Sequence, residues 1–367
     1  MATSTKTEVA VERLDVSAYT IPTDAPEQDG TFDWDSTTIV VCEAHAGGET
    51  GLGYTYGDVA TGALIESALA DVVRGRDATD VEGSWEAMSR ALRNDGRPGV
   101  GAMAMSAVDV ALWDLKARLL GEPLVAVIDG RHDAVPIYGS GGFTSYPLDR
   151  IREQLGAWVA DGIRRVKMKV GREPSRDPAR LDAAREAIGP LVELFVDANG
   201  AFDRTNALGW AERYRADWDV SWFEEPVSSD DVEGLAFVRD RAPDGLEVAA
   251  GEYGYLLRDF EALVGAVDCL QADVTRCGGI TGLRQVDALA TQHKVDLSAH
   301  CAPAISAHAF CAVDRLRHLE YFHDHVRVEA LLFDGVPEPK GGELRPDCSR
   351  PGHGLELRRA DAARWAA

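Results

Sequence analysis

From about Arg131 to Glu320 the chain alternates short apolar, β-branched or aromatic runs with amphipathic helical patterns. No other feature restricts the fold as much. The runs VPIYGS, RRVKMKV, LFVDA, VSWFEEP, LEVAAGE, DCLQADV, VDLSAH and RHLEYF read as eight strands, separated by segments such as PLDRIREQLGAWVADG, DPARLDAAREAIG and TGLRQVDALATQHK. Strands joined through helices pair in parallel, and parallel strands buried on both faces are short and apolar, as these are. Eight of them predict an α/β barrel, which takes about 250 residues. A chain of 367 residues leaves room for a second region.

That region is expected at the two ends. EVAVERLDVSAYTI and STTIVVCEAH read as a hairpin whose arms are separated by a long polar loop, TDAPEQDGTFDWD, carrying Phe32, Asp33, Trp34 and Asp35. Long loops on compact domains are often functional, although a surface excursion is the plain alternative. GLGYTYGD adds a third strand, and GAMAMSAVDVALWDLKARLLGEPL a helix ended by Gly121 and Pro123. The Pro- and Gly-rich stretch from Val328, closing in DAARWAA, is expected to fold back on the N-terminal region. The division is therefore 1–130, 131–327 and 328–367.

A hydrophobic content of 45% with 27% charged residues is that of a globular protein. MATSTKTEV lacks the apolar stretch of a signal peptide and no run reaches the roughly 20 residues of a membrane span, so a cytoplasmic protein is expected. Six scattered cysteines without a CxxC pair fit reduced thiols. A formal net charge of −23 argues against nucleic acid or anionic membrane as partners. It leaves a small anionic substrate open, because a bound cation and a few lysines reverse the potential locally.

Three of the strand-like runs end in carboxylates, Asp197, Glu224 and Glu252, spaced by 27 and 28 residues, about one barrel repeat. Barrel sites lie at the C-terminal ends of the strands, so these groups can converge on one cation. Oxygen ligands without Cys or His suit a hard ion such as Mg2+. Singly, each carboxylate could be a helix cap or a salt-bridge partner. Three at a regular interval, facing Lys167 and Lys169 on one face of strand two, are harder to dismiss. Asn199 could share the Asp197 face, or simply form the turn before Gly200. Glu225 should point away from Glu224. Asp273 and His300 close the sixth and seventh strands, where the carboxylate could fix the imidazole tautomer, and Glu320 closes the eighth. His323 and His325 are expected in a loop or interface, with metal binding a lesser alternative; His293, His308, His318 and His353 read as structural or solvated. GGITG reads as a tight strand-to-helix connection rather than a phosphate site.

Removing a proton from the carbon beside a carboxylate requires positive charge to stabilise the enediolate, and Mg2+ with Lys167 could supply it. Lys169, its pKa lowered by its cationic neighbours, could be the base; His300 could protonate the other face or a departing hydroxyl. A protonated Glu320 could donate a hydrogen bond to the substrate carboxylate. KMK, VDAN, WFEEP, GE, the Asp273 and His300 pair, GGITG and HLEYF, in this order, resemble the enolase superfamily in its mandelate racemase subgroup. The resemblance spans almost the whole chain and implies a modified (β/α)7β-type TIM barrel with an α+β N-terminal capping domain completed by the C-terminal segment. It implies one Mg2+ per chain on Asp197, Glu224 and Glu252, Lys167 as a carboxylate binder, Lys169 and the His300–Asp273 pair as acid/base groups, and capping loops at Thr23 to Asp35 and Gly53 to Gly57. Phe32, Trp34, Tyr54, Asn199 and Glu320 join Lys167 as candidate substrate-binding residues.

Most members with this pattern dehydrate sugar acids, so an aldonate or aldarate dehydratase is favoured. A racemase or epimerase of a 2-hydroxy acid and a noncatalytic binding protein on the same scaffold are the alternatives. By the same resemblance a homo-oligomer, dimer or octamer, is expected, with GYTYGD completed by a neighbouring subunit.

Overall fold

In the computed structural model, which describes residues 9–367, eight parallel strands close into a barrel. They are β4 (Val135–Gly141), β5 (Arg165–Lys169), β6 (Glu193–Asp197), β7 (Val220–Glu224), β8 (Glu247–Ala250), β9 (Cys269–Ala272), β10 (Asp296–Ala299) and β11 (Leu316–Phe322), with β11 pairing back onto β4. All eight coincide with the runs read from sequence. A helix follows each of the first seven strands, because a parallel neighbour is reached only through a crossover.

The register sorts the barrel interior into two layers. Phe195 pairs with Trp222, and two residues on Asp197 pairs with Glu224, so both couples point inward at different heights. Tyr138, Phe195, Trp222, Ala249 and Cys269 form a separate buried cluster that plugs the lower barrel. His318 packs among the three aromatic rings there. Above the plug lie the charged groups.

Before the barrel, β1 (Arg13–Gln28), β2 (Asp33–Ala46) and β3 (Glu49–Tyr56) make an antiparallel sheet. The polar segment expected as a long loop is mostly strand. Pairing runs to Pro22 with Ser36, shifts at a bulge, and resumes with Glu27 opposite Trp34 and Gln28 opposite Asp33, so only Asp29 to Phe32 form the tip. That tip presses on the barrel. A Cβ at Gly30 would sit 2.1 Å from the Ala198 carbonyl oxygen and 2.8 Å from that of Val170, at the exits of β6 and β5.

The helix Val100–Leu120 stops at Gly121, left-handed at φ 69°. It also satisfies the GGITG turn. Ser106 accepts from the amides of Gly278 and Gly279, and Asp109 accepts from the amide and hydroxyl of Thr281. A carboxylate of the chain itself thus caps the helix Gly279–His293 where an anion would otherwise bind. The C-terminal segment returns to the N-terminal region: Ala366 bridges to Tyr19, Gly352 to Pro123, and His353 donates to Asp114. His323 and His325, expected in a loop or interface, lie in the helix His323–Leu332. All six cysteines are unpaired, and among the described residues no helix is long and apolar enough to cross a membrane.

Candidate active site

The charged layer is a continuous network. Lys167, fully buried, places Nζ 2.5 Å from Glu224 Oε1, 2.8 Å from Glu320 Oε1 and 3.3 Å from Asp197 Oδ2. Lys169 donates to Asp197 Oδ2 at 2.6 Å. Ser140 donates to Glu320 at 2.6 Å, and the Trp222 indole of the plug donates to Glu224 Oε2 at 3.0 Å. Across the barrel His300 Nδ1 lies 2.8 Å from Asp273 Oδ2, leaving Nε2 directed at Glu252 Oε2, 3.1 Å away. Glu252 stands just beyond β8, after Gly251. That glycine has φ 136°, and a Cβ there would meet the Gln271 carbonyl oxygen at 2.2 Å.

The electrostatics correct three expectations. Burial alone would lower the Lys169 pKa, but the carboxylates of Asp197, Glu252 and Glu320 together outweigh burial and Lys167 and hold it above the ordinary value. Burial would raise Glu320, yet Lys167 and His300 pull it down, so it is a carboxylate and not the protonated donor the sequence allowed. Glu225 does not escape the cluster. It is buried with a left-handed φ of 38°, and burial, Glu252 and Asp197 drive its pKa well above the usual range. Burial would also lower His300; Cys301, Glu252, Glu320 and the Asp273 bond hold it well above an ordinary imidazole.

These groups open into a cavity of about 520 Å3. The barrel contributes Lys169, Asn199, Glu252, His300 and Glu320; the hairpin contributes Asp29, Phe32 and Trp34. Asp197, Glu224 and Asp273 are fully covered and support the lining from behind, as does Lys167. Tyr54 does not line the cavity. It is wholly buried, donating to Glu329 at 2.5 Å, and Tyr56, one step further on the same face of β3, lines the cavity instead. Asp29 and Tyr56 lie within the expected capping loops without having been singled out, while sequence reasoning missed Tyr253, Arg276 and Cys301 and placed His325 elsewhere; His325 stacks on Tyr56 with ring centroids 3.4 Å apart. Arg276 had one signal, its place three residues after Asp273, which it reaches at 3.5 Å.

The donor set fits a hard divalent cation. Asp197, Glu224 and Glu252 each offer an oxygen within 4.8 Å of the others. Around them six buried carboxylates, counting Glu225, Asp273 and Glu320, face Lys167, Lys169, Arg276 and one histidine. Such an excess of negative charge is costly in a low dielectric. Burial and Asp197 accordingly push Glu224 up to about 8. An all-oxygen trio is the set Mg2+ prefers.

A closed parallel barrel with acid/base groups and a carboxylate trio at its strand ends defines an enzyme of the enolase superfamily. Family models agree: the enolase C-terminal domain-like model matches residues 150–362 and the mandelate racemase / muconate lactonizing enzyme N-terminal domain model matches residues 19–129. The chain belongs to the mandelate racemase subgroup of that superfamily. The 3,6-anhydro-alpha-L-galactonate cycloisomerase of Streptomyces coelicolor is 34% identical over 358 residues, covering 95% of this chain and 97% of that protein. A mandelate racemase/muconate lactonizing enzyme-like protein from Rubrobacter xylanophilus superposes with TM-score 0.96 at 63% identity, covering 97% of this chain and 99% of that one. L-talarate/galactarate dehydratase from Salmonella typhimurium, crystallised with Mg and L-lyxarohydroxamate, superposes at 0.90 with 29% identity, covering 100% of this chain and 95% of that one.

Proposed function

We propose that the chain is a Mg2+-dependent acid-sugar dehydratase that removes the proton alpha to a carboxylate and then expels a hydroxyl as water. One observation carries this reading: Lys169 and the His300–Asp273 dyad open into a single cavity beside the carboxylate trio. Asp197, Glu224 and Glu252 would hold the ion. When bound, it supplies positive charge at the substrate carboxylate and competes for the Asp197 oxygen that now pairs with Lys169. With that pairing released, Nζ of Lys169 sheds its proton to solvent and, as the neutral amine, takes the alpha proton. Lys167, from behind, shares Asp197 Oδ2 with it, and Glu320 keeps the floor of the site charged. Asp273 fixes Nδ1 of His300, so Nε2 faces the cavity and delivers a proton to the departing hydroxyl. Residues 1–130 with 328–367 form the cap in this reading, and 131–327 the catalytic barrel. The Asp29, Asn199 and Arg276 side chains offer polar partners for hydroxyl groups, which suits a sugar acid.

A second reading, cycloisomerisation of an anhydro or lactone sugar acid, is favoured by the 34% identical relative. A racemase uses the same two faces. One experiment separates them: incubate the protein with Mg2+ and an acid-sugar library in deuterated water, and analyse products by mass spectrometry and NMR. A 2-keto acid formed with loss of one water supports dehydration. A product of unchanged composition with a rearranged ring supports the cycloisomerase, and deuterium at carbon 2 without other change the racemase. Silence across the library overturns the reading.

A further inference from the structure

The mechanism above leaves Cys301 unused, and its backbone is unusual. His300 points into the barrel, so simple alternation would turn Cys301 to the outer layer. Instead Cys301 has φ 50° and Ala302 φ 45°, two successive non-glycine residues in the left-handed region. Such conformations persist where the surroundings enforce them, and they cluster at functional sites. Here the turn brings the buried thiol to the cavity, with Sγ 3.2 Å from His300 Nε2 and 3.4 Å from Glu320 Oε2. The third side of the triangle, His300 Nε2 to Glu320 Oε2, is 3.6 Å.

We propose that His300, Cys301 and Glu320 form a second metal site, distinct from the all-oxygen trio, that takes a thiophilic divalent cation of the Zn2+ class and thereby blocks the reaction centre. A zinc ion held at roughly 2.0–2.3 Å from N, O and S in a tetrahedral arrangement sets its ligands roughly 3.3–3.7 Å apart. Pair by pair, the three observed separations lie within about 0.4 Å of the tetrahedral values, with the sulfur nearer the nitrogen than a bound ion would hold it, so small side-chain adjustments complete one face of the tetrahedron. The open fourth position faces the cavity. The surroundings are also suited. Glu320 Oε1 is engaged by Ser140 and Lys167, leaving Oε2 for a cation. Asp273 on Nδ1 makes the carboxylate–histidine arrangement that orients zinc-binding imidazoles. Sulfur and nitrogen select a borderline-soft ion, whereas the trio of Asp197, Glu224 and Glu252 does not, so the two sites are chemically sorted. On binding, the thiol proton and the proton on His300 Nε2 leave to solvent, and the thiolate and neutral imidazole complete the ligand set. The inference rests on the proposed acid/base role of His300 only for its inhibitory consequence; the binding claim stands alone.

Co2+ reports on the binding directly, because a thiolate ligand gives an intense near-ultraviolet charge-transfer band that oxygen ligands do not. The full-length protein, saturated with Mg2+ to fill the trio, is titrated with Co2+ and then Zn2+. The expected result is a stoichiometric thiolate band, displaced by Zn2+, present in C348S and absent in C301S. Asp273→Asn should retain the band but weaken Co2+ affinity by roughly 10- to 100-fold. Circular dichroism and melting temperature check that each variant folds; should C301S fail to fold, Cys301→Gly, which suits the left-handed backbone, takes its place. A band that survives loss of Cys301, or disappears only in C348S, overturns the proposal, as does the absence of any band. If the band forms but no library substrate turns over, the functional reading fails alone; if substrate turns over and the band is absent, this site fails alone.

Discussion

The strand-end layer of the barrel and the tip of the β1–β2 hairpin face each other across one cavity, yet they are held in different ways. Barrel groups stand at fixed heights on consecutive hydrogen-bonded strands, covered from below by an aromatic plug that reaches up to Glu224 through the Trp222 indole. The hairpin tip is held by a local turn, in which Asp29 Oδ1 accepts from the amides of Thr31 and Phe32 at 2.6 Å each, and by a few contacts such as Thr31 Oγ1 to the Asn199 carbonyl at 3.2 Å. Phe32 at its end is 65% exposed. Preorganised groups on rigid elements set the chemistry, while a surface element can vary without unfolding the domain. The barrel should therefore govern turnover and the hairpin affinity.

The largest effects test the barrel side. Lys169→Met removes the proposed base without adding bulk and should lower kcat by about 100- to 10,000-fold with little change in KM. Full turnover by this variant would remove Lys169 from the mechanism. Glu252→Gln leaves the volume of the site unchanged but withdraws one charge from the trio, and titration calorimetry should show Mg2+ bound roughly tenfold more weakly or worse. Identical isotherms would take Glu252 out of the ligand set. On the hairpin side, Gly30→Val must displace the tip, since a Cβ alone would meet the Ala198 carbonyl oxygen at 2.1 Å. KM should rise by about tenfold, near 1.4 kcal/mol of lost binding, with the melting temperature almost unmoved. A fall in kcat at constant KM would contradict the division of labour.

The same contrast explains what could be read from the amino-acid sequence. Strand periodicity locates Lys169, Asp197, Glu224, His300 and Glu320, because inward alternation on a buried parallel strand leaves its terminal polar residue nowhere else to point. Contacts made across the fold leave no such trace. The apolar alternation of β1 fades after Ile21 while pairing continues to Gln28, because an exposed hairpin arm needs no apolar face. Tyr54 and Tyr56 share a face of β3 and both donate to Glu329 on a distant helix, and only the folded cavity shows that Tyr56 lines it while Tyr54 does not. The Lys169 pKa was misjudged for a similar reason. Its sequence neighbour Lys167 is visible, but Asp197, 28 positions away and 2.6 Å distant, sets the sign only together with Glu252 and Glu320. Cys301 escaped because a left-handed backbone breaks the alternation on which the reading relied.

The seam between the two regions gives the smallest and most selective test. Glu329 on the helix His323–Leu332 accepts from Tyr54 of β3 and from the Ala304 amide, and burial pushes its pKa up to about 8. An unfolded glutamate titrates near 4.5. Between these values the folded state keeps a proton that the unfolded state has lost, so the stabilisation is complete below the unfolded pKa and declines as pH rises toward 8. The slope is about 1.4 kcal/mol per pH unit for one fully buried group. Glu329→Gln cannot lose that proton. Its amide nitrogen meets the Ala304 N–H badly, a cost independent of pH, so the variant should melt below the native protein at pH 5 and close the gap or reverse it by pH 8. Glu27, also raised to about 8 by burial, contributes equally to both proteins and cancels in the difference. Parallel melting curves across that window would show that the seam carries an ionised glutamate, and that cap and barrel are joined by a charge rather than by a neutral hydrogen bond.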